Sequence, residues 1–228
     1  MAIKAVLFDL DGTLVDTAPD FIYVVNTMRS EEGLSPIDHQ LIRATVSKGA
    51  KALVTLAFNS QEGDCEFSRL HQRLLELYSL HIAVHSKLFT GISSLLKQLQ
   101  QHGIAWGIAT NKPEIYTTPL LNALNIQPKA QCIICPDHVR DPKPHPESMY
   151  LAGQLINCTP EEIIYIGDHI RDIECGRRAG SITIAAGYGY IDTNENLQHW
   201  QADHTVHTTQ EIWPIISSYI NSAPQIGI

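Results

Sequence analysis

Asp9 and Asp11 stand one residue apart, directly behind the apolar run Ala5 to Phe8. Carboxylates in such a place can bind a hard cation, attack an electrophile or move a proton. Two more, Asp168 and Asp172, follow another apolar run and lie one helical turn apart. Asp9, Asp168 and Asp172 offer oxygen donors of the kind that suit Mg²⁺, which takes few protein carboxylates and keeps water and substrate oxygens as its other ligands. Three like charges packed together would repel, and a divalent cation removes that cost. Lys143, held between Pro142 and Pro144, can face the carboxylates and a phosphate together. Thr110 offers a hydroxyl after a further apolar run, and the N–H groups of Asn111 and Lys112 at a helix start would favour an anion. Each feature alone is common by chance. Their order is informative, because each follows a run that reads as a strand.

Those runs are residues 3–9, 104–110, 130–135, 162–168 and 181–186. They are β-rich, lack alternation and are separated by helical patterns, as expected of parallel strands buried on both faces. The fold class is therefore α/β, a doubly wound, Rossmann-like parallel sheet. Proline after Ala18, Lys112 and Thr159 marks three helix starts. In such a sheet ligands bind outside the carboxyl ends of the strands, which is where the acidic residues, Thr110 and Asn111 fall. Gly12 permits a tight turn after Asp11.

The interval between Pro19 and Ile104 is too long for a simple crossover and almost wholly helical in pattern. Residues 16–86 are expected to form a small inserted helical domain, with 1–15 and 87–228 as the α/β core. Ser47-Lys48-Gly49 interrupts two helical stretches and reads as a substrate loop. Arg43 and Lys48 are candidates to meet a carboxylate or sugar substituent, or else are solvated charges at helix ends.

With 16 Lys plus Arg against 24 Asp plus Glu, the net charge of −8 excludes a general nucleic-acid surface. The expected partner is a small phosphorylated metabolite. No apolar run approaches the ~18 residues of a membrane helix, and Ala5 to Phe8 is too short for a signal peptide, so a cytoplasmic protein, monomer or homodimer, is expected. Five cysteines at irregular spacing do not form a disulfide framework, and Cys132-x-x-Cys135 reads as two reduced thiols in or beside a buried strand. His204 and His207 lack a third nearby ligand and lie in a short strand.

"FDLDGTLVDT", "ATNKP", "DPKPHPE" and "IGDHIRDIECGRRAG" resemble the four ordered motifs of the haloacid dehalogenase-like hydrolases, and the helical insert resembles their C1 cap. The resemblance spans nearly the whole chain. It implies that Asp9 is the nucleophile that becomes an aspartyl phosphate and that Asp11 is the general acid and base. It implies Mg²⁺ on the side chains of Asp9 and Asp168 and the backbone carbonyl of Asp11, and phosphoryl oxygens held at Thr110 and Asn111. Lys143 would neutralise phosphate and nucleophile, and Asp172 would bind the metal through water or orient Lys143. An acid at position 11 favours a phosphatase or phosphomutase, since related ATPases carry threonine there and the dehalogenases lack this aspartate. His169 departs from the usual small polar or acidic residue and is expected to be a structural neighbour. The chain is similar to the phosphoglycolate phosphatase branch, and "VHSKLF", with "LIRATVSKGAKALVTLAF" and "GYGYI", is similar to members acting on N-acetylmuramic acid 6-phosphate. The alternatives are a β-phosphoglucomutase-like phosphotransferase and a phosphorylation-controlled receiver or binding protein.

Overall fold

A computed structural model of the protein describes residues 2–221. In chain order its elements are β1 (Ala5–Phe8), β2 (Val15–Asp16), α1 (Ala18–Glu31), α2 (His39–Val46), α3 (Ala50–Phe58), α4 (Phe67–His81), β3 (Lys87–Leu88), α5 (Ile92–Gln101), β4 (Ala105–Ala109), α6 (Glu114–Leu124), β5 (Cys132–Ile134), α7 (Glu147–Leu155), β6 (Ile163–Gly167), α8 (Ile170–Ala179), β7 (Ile182–Ala186), β8 (His204–Val206) and α9 (Ile212–Asn221).

Six of the strands form one parallel sheet in the order β5-β4-β1-β6-β7-β8. β1 is central, with Val6 opposite Trp106 on one side and Ile164 on the other. Its residues alternate between two apolar layers. Val6 and Phe8 pack with Leu95 and Leu96 of α5 and Ile216 of α9. Ala5 and Leu7 pack with Met149 and Ala152 of α7 and Cys175 of α8. Both faces are covered, which is why these strands read as unbroken apolar runs. The chain runs outward from β1 to β5, then returns to β6 and runs the other way. The strand order reverses between β1 and β6, and a crevice opens at their carboxyl ends.

Helices α1–α4 fall between β2 and β3, which pair antiparallel as a short ribbon, Val15 opposite Leu88. These helices bury a cluster of their own around Val24, Met28, Leu53, Leu74 and Tyr78, with Phe21 and Tyr78 stacked at 4.1 Å between ring centroids. Asp20 of α1 is fully buried and accepts the N–H groups of His85 (2.7 Å) and Ser86 (3.1 Å), tying the outgoing helix to the returning chain. The helical pattern across 38–58 is broken at Gly49, whose φ of 93° lets the chain turn between α2 and α3 at little steric cost.

One expected helix start is corrected. Thr159-Pro160 opens only a single 3₁₀ turn, Pro160–Glu162, because Ile163 must already stand in register with Ala5. Cys132 and Cys135 are buried free thiols, the first within β5. His204 lies in β8 with Nε2 2.7 Å from the Tyr219 hydroxyl. No helix among the described residues is long and apolar enough to cross a membrane.

Candidate active site

The crevice receives Asp9 and Asp11 from the end of β1, Thr110 from the end of β4 and Asp168 from the end of β6. Gly12 makes the turn after β1 with φ 84°, and a Cβ there would run into the Asp168 carboxylate. Asp9, Asp168 and Asp172 bring one carboxylate oxygen each within 4.8 Å of one another, all three residues being buried. Burial first, then the charges of Asp9 and Asp172, push the Asp168 carboxyl up to about 8. Its Oδ2 accepts the Ser47 hydroxyl (2.8 Å) and the Tyr190 N–H (2.9 Å), and Oδ1 accepts the Thr13 hydroxyl (3.2 Å).

Lys143 is the cation of this cluster. Its Nζ donates to Asp9 Oδ1 (2.8 Å), Asp172 Oδ1 (2.7 Å), the Ala109 carbonyl (3.0 Å) and the Tyr165 hydroxyl (2.8 Å). Burial would lower its pKa, but Asp172 and Asp9 outweigh that and raise it, so the ammonium stays charged. Asp172 both holds Lys143 and stands in the carboxylate cluster with Asp9 and Asp168, as either of its expected parts requires. Its second oxygen accepts the His169 N–H at 3.0 Å, so neither oxygen is free of a partner.

Asp11 faces a second ammonium. Lys112 Nζ lies 3.0 and 3.3 Å from its two oxygens, and the Thr17 hydroxyl donates to it at 2.6 Å. Thr110 is buried, and its hydroxyl accepts the Lys112 N–H at 3.1 Å. Asp9, Asp168 and Asp172 crowd three acids around the Lys143 ammonium, and a divalent cation beside Asp9 and Asp168 would relieve the crowding that raises Asp168. The donor set therefore fits a hard cation.

Above these residues is a cavity of about 400 Å³. Asp9, Asp11, Thr110, Asn111 and Lys112 line its floor, and Ser47, Lys48, Lys51, His71, Tyr78 and Phe21 of the inserted helices line its roof. The loop between α2 and α3 is drawn down onto the sheet edge. Besides the Ser47–Asp168 hydrogen bond, Arg171 donates to the Ser47 carbonyl, and Lys48 pairs with Asp192 at 3.3 Å.

Two expected binding residues make further contacts. The Asn111 amide is spent on the Lys143 peptide, accepting its N–H (3.1 Å) and donating to its carbonyl (3.0 Å). A side-chain amide clamped at both ends holds the lysine segment, while the backbone N–H, through which an anion contact is expected, lies at the cavity floor. Arg43 is not brought to the cavity: it pairs with Asp16 at 3.0 Å and lies over the Tyr190 ring at 4.8 Å. One turn of α2 separates it from the loop, and its side chain leaves the helix toward the β2–β3 ribbon. His169 caps α8 by accepting the Arg171 N–H at 3.2 Å. Burial, then Arg171, holds it down to about 4, so its ring is neutral.

Residues 6–186 match the family described as haloacid dehalogenase-like hydrolase. The chain belongs to the haloacid dehalogenase-like hydrolases. It is 43% identical over 218 residues to an N-acetylmuramic acid 6-phosphate phosphatase of Pseudomonas putida, covering 96% of this chain and 98% of that one. It is 37% identical over 210 residues to a phosphoglycolate phosphatase of Xanthomonas campestris pv. campestris, covering 92% and 95%. Among solved structures, that of a predicted phosphoglycolate phosphatase from Haemophilus somnus shares the fold, with a TM-score of 0.82 at 24% identity over 93% of this chain and 97% of that one.

As a hydrolase of this family, the chain shows contacts at its site that sequence reasoning missed. Ser47, Lys112, Arg171 and Tyr190 all reach the carboxylates or the loop above them. Of these, only Lys112 carried a usable signal. It is an ammonium three residues past the end of β4, within the motif "ATNKP".

Proposed function

We propose that the protein is a Mg²⁺-dependent phosphatase that hydrolyses the phosphate monoester of a small carboxylate-bearing sugar, N-acetylmuramic acid 6-phosphate being the favoured substrate. The observation that carries this reading is the pair of aspartates at one cavity floor, each with its own ammonium: Asp9 with Lys143 and Asp11 with Lys112. Asp9, Asp168 and the Asp11 carbonyl would hold the cation, which when bound supplies charge neutralisation for the phosphoryl oxygens.

A carboxylate oxygen of Asp9 attacks phosphorus, the P–O bond to the sugar breaks, and Asp11 gives its proton to the departing alkoxide. Asp11 then takes a proton from water as that water attacks the aspartyl phosphate, releasing inorganic phosphate and restoring Asp9. Lys143 and Thr110 stabilise the phosphoryl charge through both displacements. The loop Ser47-Lys48-Gly49 excludes bulk water from the floor.

Substrate size and charge follow from the roof. A two-carbon phosphoglycolate would leave most of a 400 Å³ cavity empty, whereas a sugar acid fills it. Tyr116 offers a flat apolar face for a sugar ring, and Lys48 and Lys51 offer charge for a carboxylate. The helical insert thus serves as a cap, and the free thiols accord with a cytoplasmic setting.

Phosphate release with Mg²⁺ should be measured on N-acetylmuramic acid 6-phosphate, glucosamine 6-phosphate, phosphoglycolate and nucleoside monophosphates. The first should show the highest kcat/KM. Preference for phosphoglycolate would overturn the substrate reading. Isomerised hexose phosphate without net phosphate release would make the protein a mutase. A phosphoprotein that persists for minutes, with no turnover of any monoester, would make it a receiver.

A further inference from the structure

We infer that Lys112 is a positioning residue for Asp11, set in place by two aromatic rings of the cap; the inference rests on the phosphatase reading above. Lys112 carries the features of a built device. Its side chain is only 6% exposed, and Asp11 is its one ion-pair partner among the described residues. Its backbone belongs to the core, where its N–H donates to Thr110 and its carbonyl accepts the Thr117 hydroxyl at 3.1 Å.

Its ammonium belongs to the cap. Nζ lies 4.5 Å from the Tyr78 ring centroid and 5.2 Å from that of Phe21, and these two rings stack on each other within 7° of parallel. The Tyr78 hydroxyl is buried, lacks a partner of good hydrogen-bond geometry and lies near the Lys112 ammonium, whose charge it favours. α4 thus presents both the ring and its hydroxyl to the lysine, and the ring supplies the cation–π contact.

A buried ion pair is weak evidence for stability, because desolvation can cancel its attraction. Placement is a better account of this one. Lys112 holds both oxygens of Asp11, Thr17 holds one of them, and a proton-transfer group must sit within hydrogen-bond reach of its target. Lys143 does the corresponding work for Asp9 entirely from the core. Lys112 does it only with the cap's rings above it, so cap closure and acid–base geometry are linked through one side chain.

The test uses Lys112→Met on the full chain with Mg²⁺ and two substrates, followed by rapid mixing. p-Nitrophenyl phosphate has a leaving group that departs without a proton, whereas glucosamine 6-phosphate does not. With the aryl ester, Lys112→Met should release one nitrophenolate per site at a rate within threefold of wild type, then turn over about 100-fold more slowly. With the sugar ester the first turnover should itself fall by about 100-fold. Lys112→Arg should recover part of both losses. Tyr78→Leu should reduce steady turnover about tenfold more than Tyr78→Phe, which keeps the ring, and this pair decides the matter if Lys112→Met does not fold.

Equal losses of the first turnover on both esters, or equal effects of the two Tyr78 variants, would overturn the inference. A raised KM with unchanged first turnover would make Lys112 a substrate contact instead. Failure of the phosphatase reading is distinguishable, since wild-type protein would then release at most one nitrophenolate per site, with no steady turnover.

Discussion

The floor and the roof of the cavity were built by different rules. On the floor, Asp9, Thr110 and Asp168 each sit at the end of a buried parallel strand, and the register of β4, β1 and β6 leaves them no choice of neighbour. On the roof, Lys48, Lys51, His71 and Tyr78 come from three places along helices whose mutual packing decides which side chains look down. The floor is dense with hydrogen bonds among buried charges. The roof touches it through few contacts, chiefly Ser47, Arg171 and the rings over Lys112. A chemistry fixed by strand ends can therefore be kept while helix faces change the substrate.

The strongest way to sharpen that contrast is to remove the nucleophile. Asp9→Asn should abolish phosphate release on every ester while leaving the circular dichroism spectrum and cooperative unfolding intact. Wild-type-like turnover in purified variant would sink the covalent mechanism. Next in size is Lys143→Met. It strands Asp9 and Asp172 as buried carboxylates without their ammonium, so urea unfolding should show a loss of about 3 kcal/mol, together with lost activity. Unchanged stability would mean that the floor's charge network is not a structural unit.

The legibility of the sequence divides along the same line. β1, β4, β6 and β7 are legible because each is a short run buried on both faces, the edge strand β5 because its short run is apolar throughout, and strand order puts Asp9, Asp11, Thr110 and Asp168 at one edge. The two-residue strands β2 and β3 are not legible, because two residues carry no periodicity. The backbone N–H of Asn111 is legible as an anion site from its helix start, but the clamp of its side-chain amide on Lys143 is a contact across 32 positions that no local pattern encodes. Ser47 was placed in the right loop, but its bond to Asp168 spans 121 positions and depends on how α2 and α3 dock. Sequence position finds strand ends well; it does not aim the side chains of a packed helix.

On the roof, Lys48→Ala should raise KM about tenfold on a carboxylate-bearing sugar phosphate, the worth of one charge-assisted contact, with kcat retained. Its salt bridge to Asp192 is 43% and 36% exposed at the two side chains, so its loss alone should hardly change stability. An unchanged KM would remove Lys48 from the binding wall.

The smallest effect is expected from Arg43→Ala, and it tests where the roof ends. Arg43 pairs with Asp16 on the ribbon between core and cap, lies over Tyr190, and is absent from the cavity lining. Tyr190 in turn donates its hydroxyl to Asp16 at 2.8 Å and its N–H to Asp168, so Arg43 braces the joint on which the cap is mounted. The pair is partly exposed, which limits its worth to about 1 kcal/mol. A small fall in Tm is therefore expected, with KM for the sugar phosphate within twofold of wild type. A tenfold rise in KM without a change in Tm would place Arg43 against substrate after all. The cap would then have to sit differently on the sheet when loaded, and the division between a floor set by strand register and a roof set by helix packing would have to be redrawn at α2.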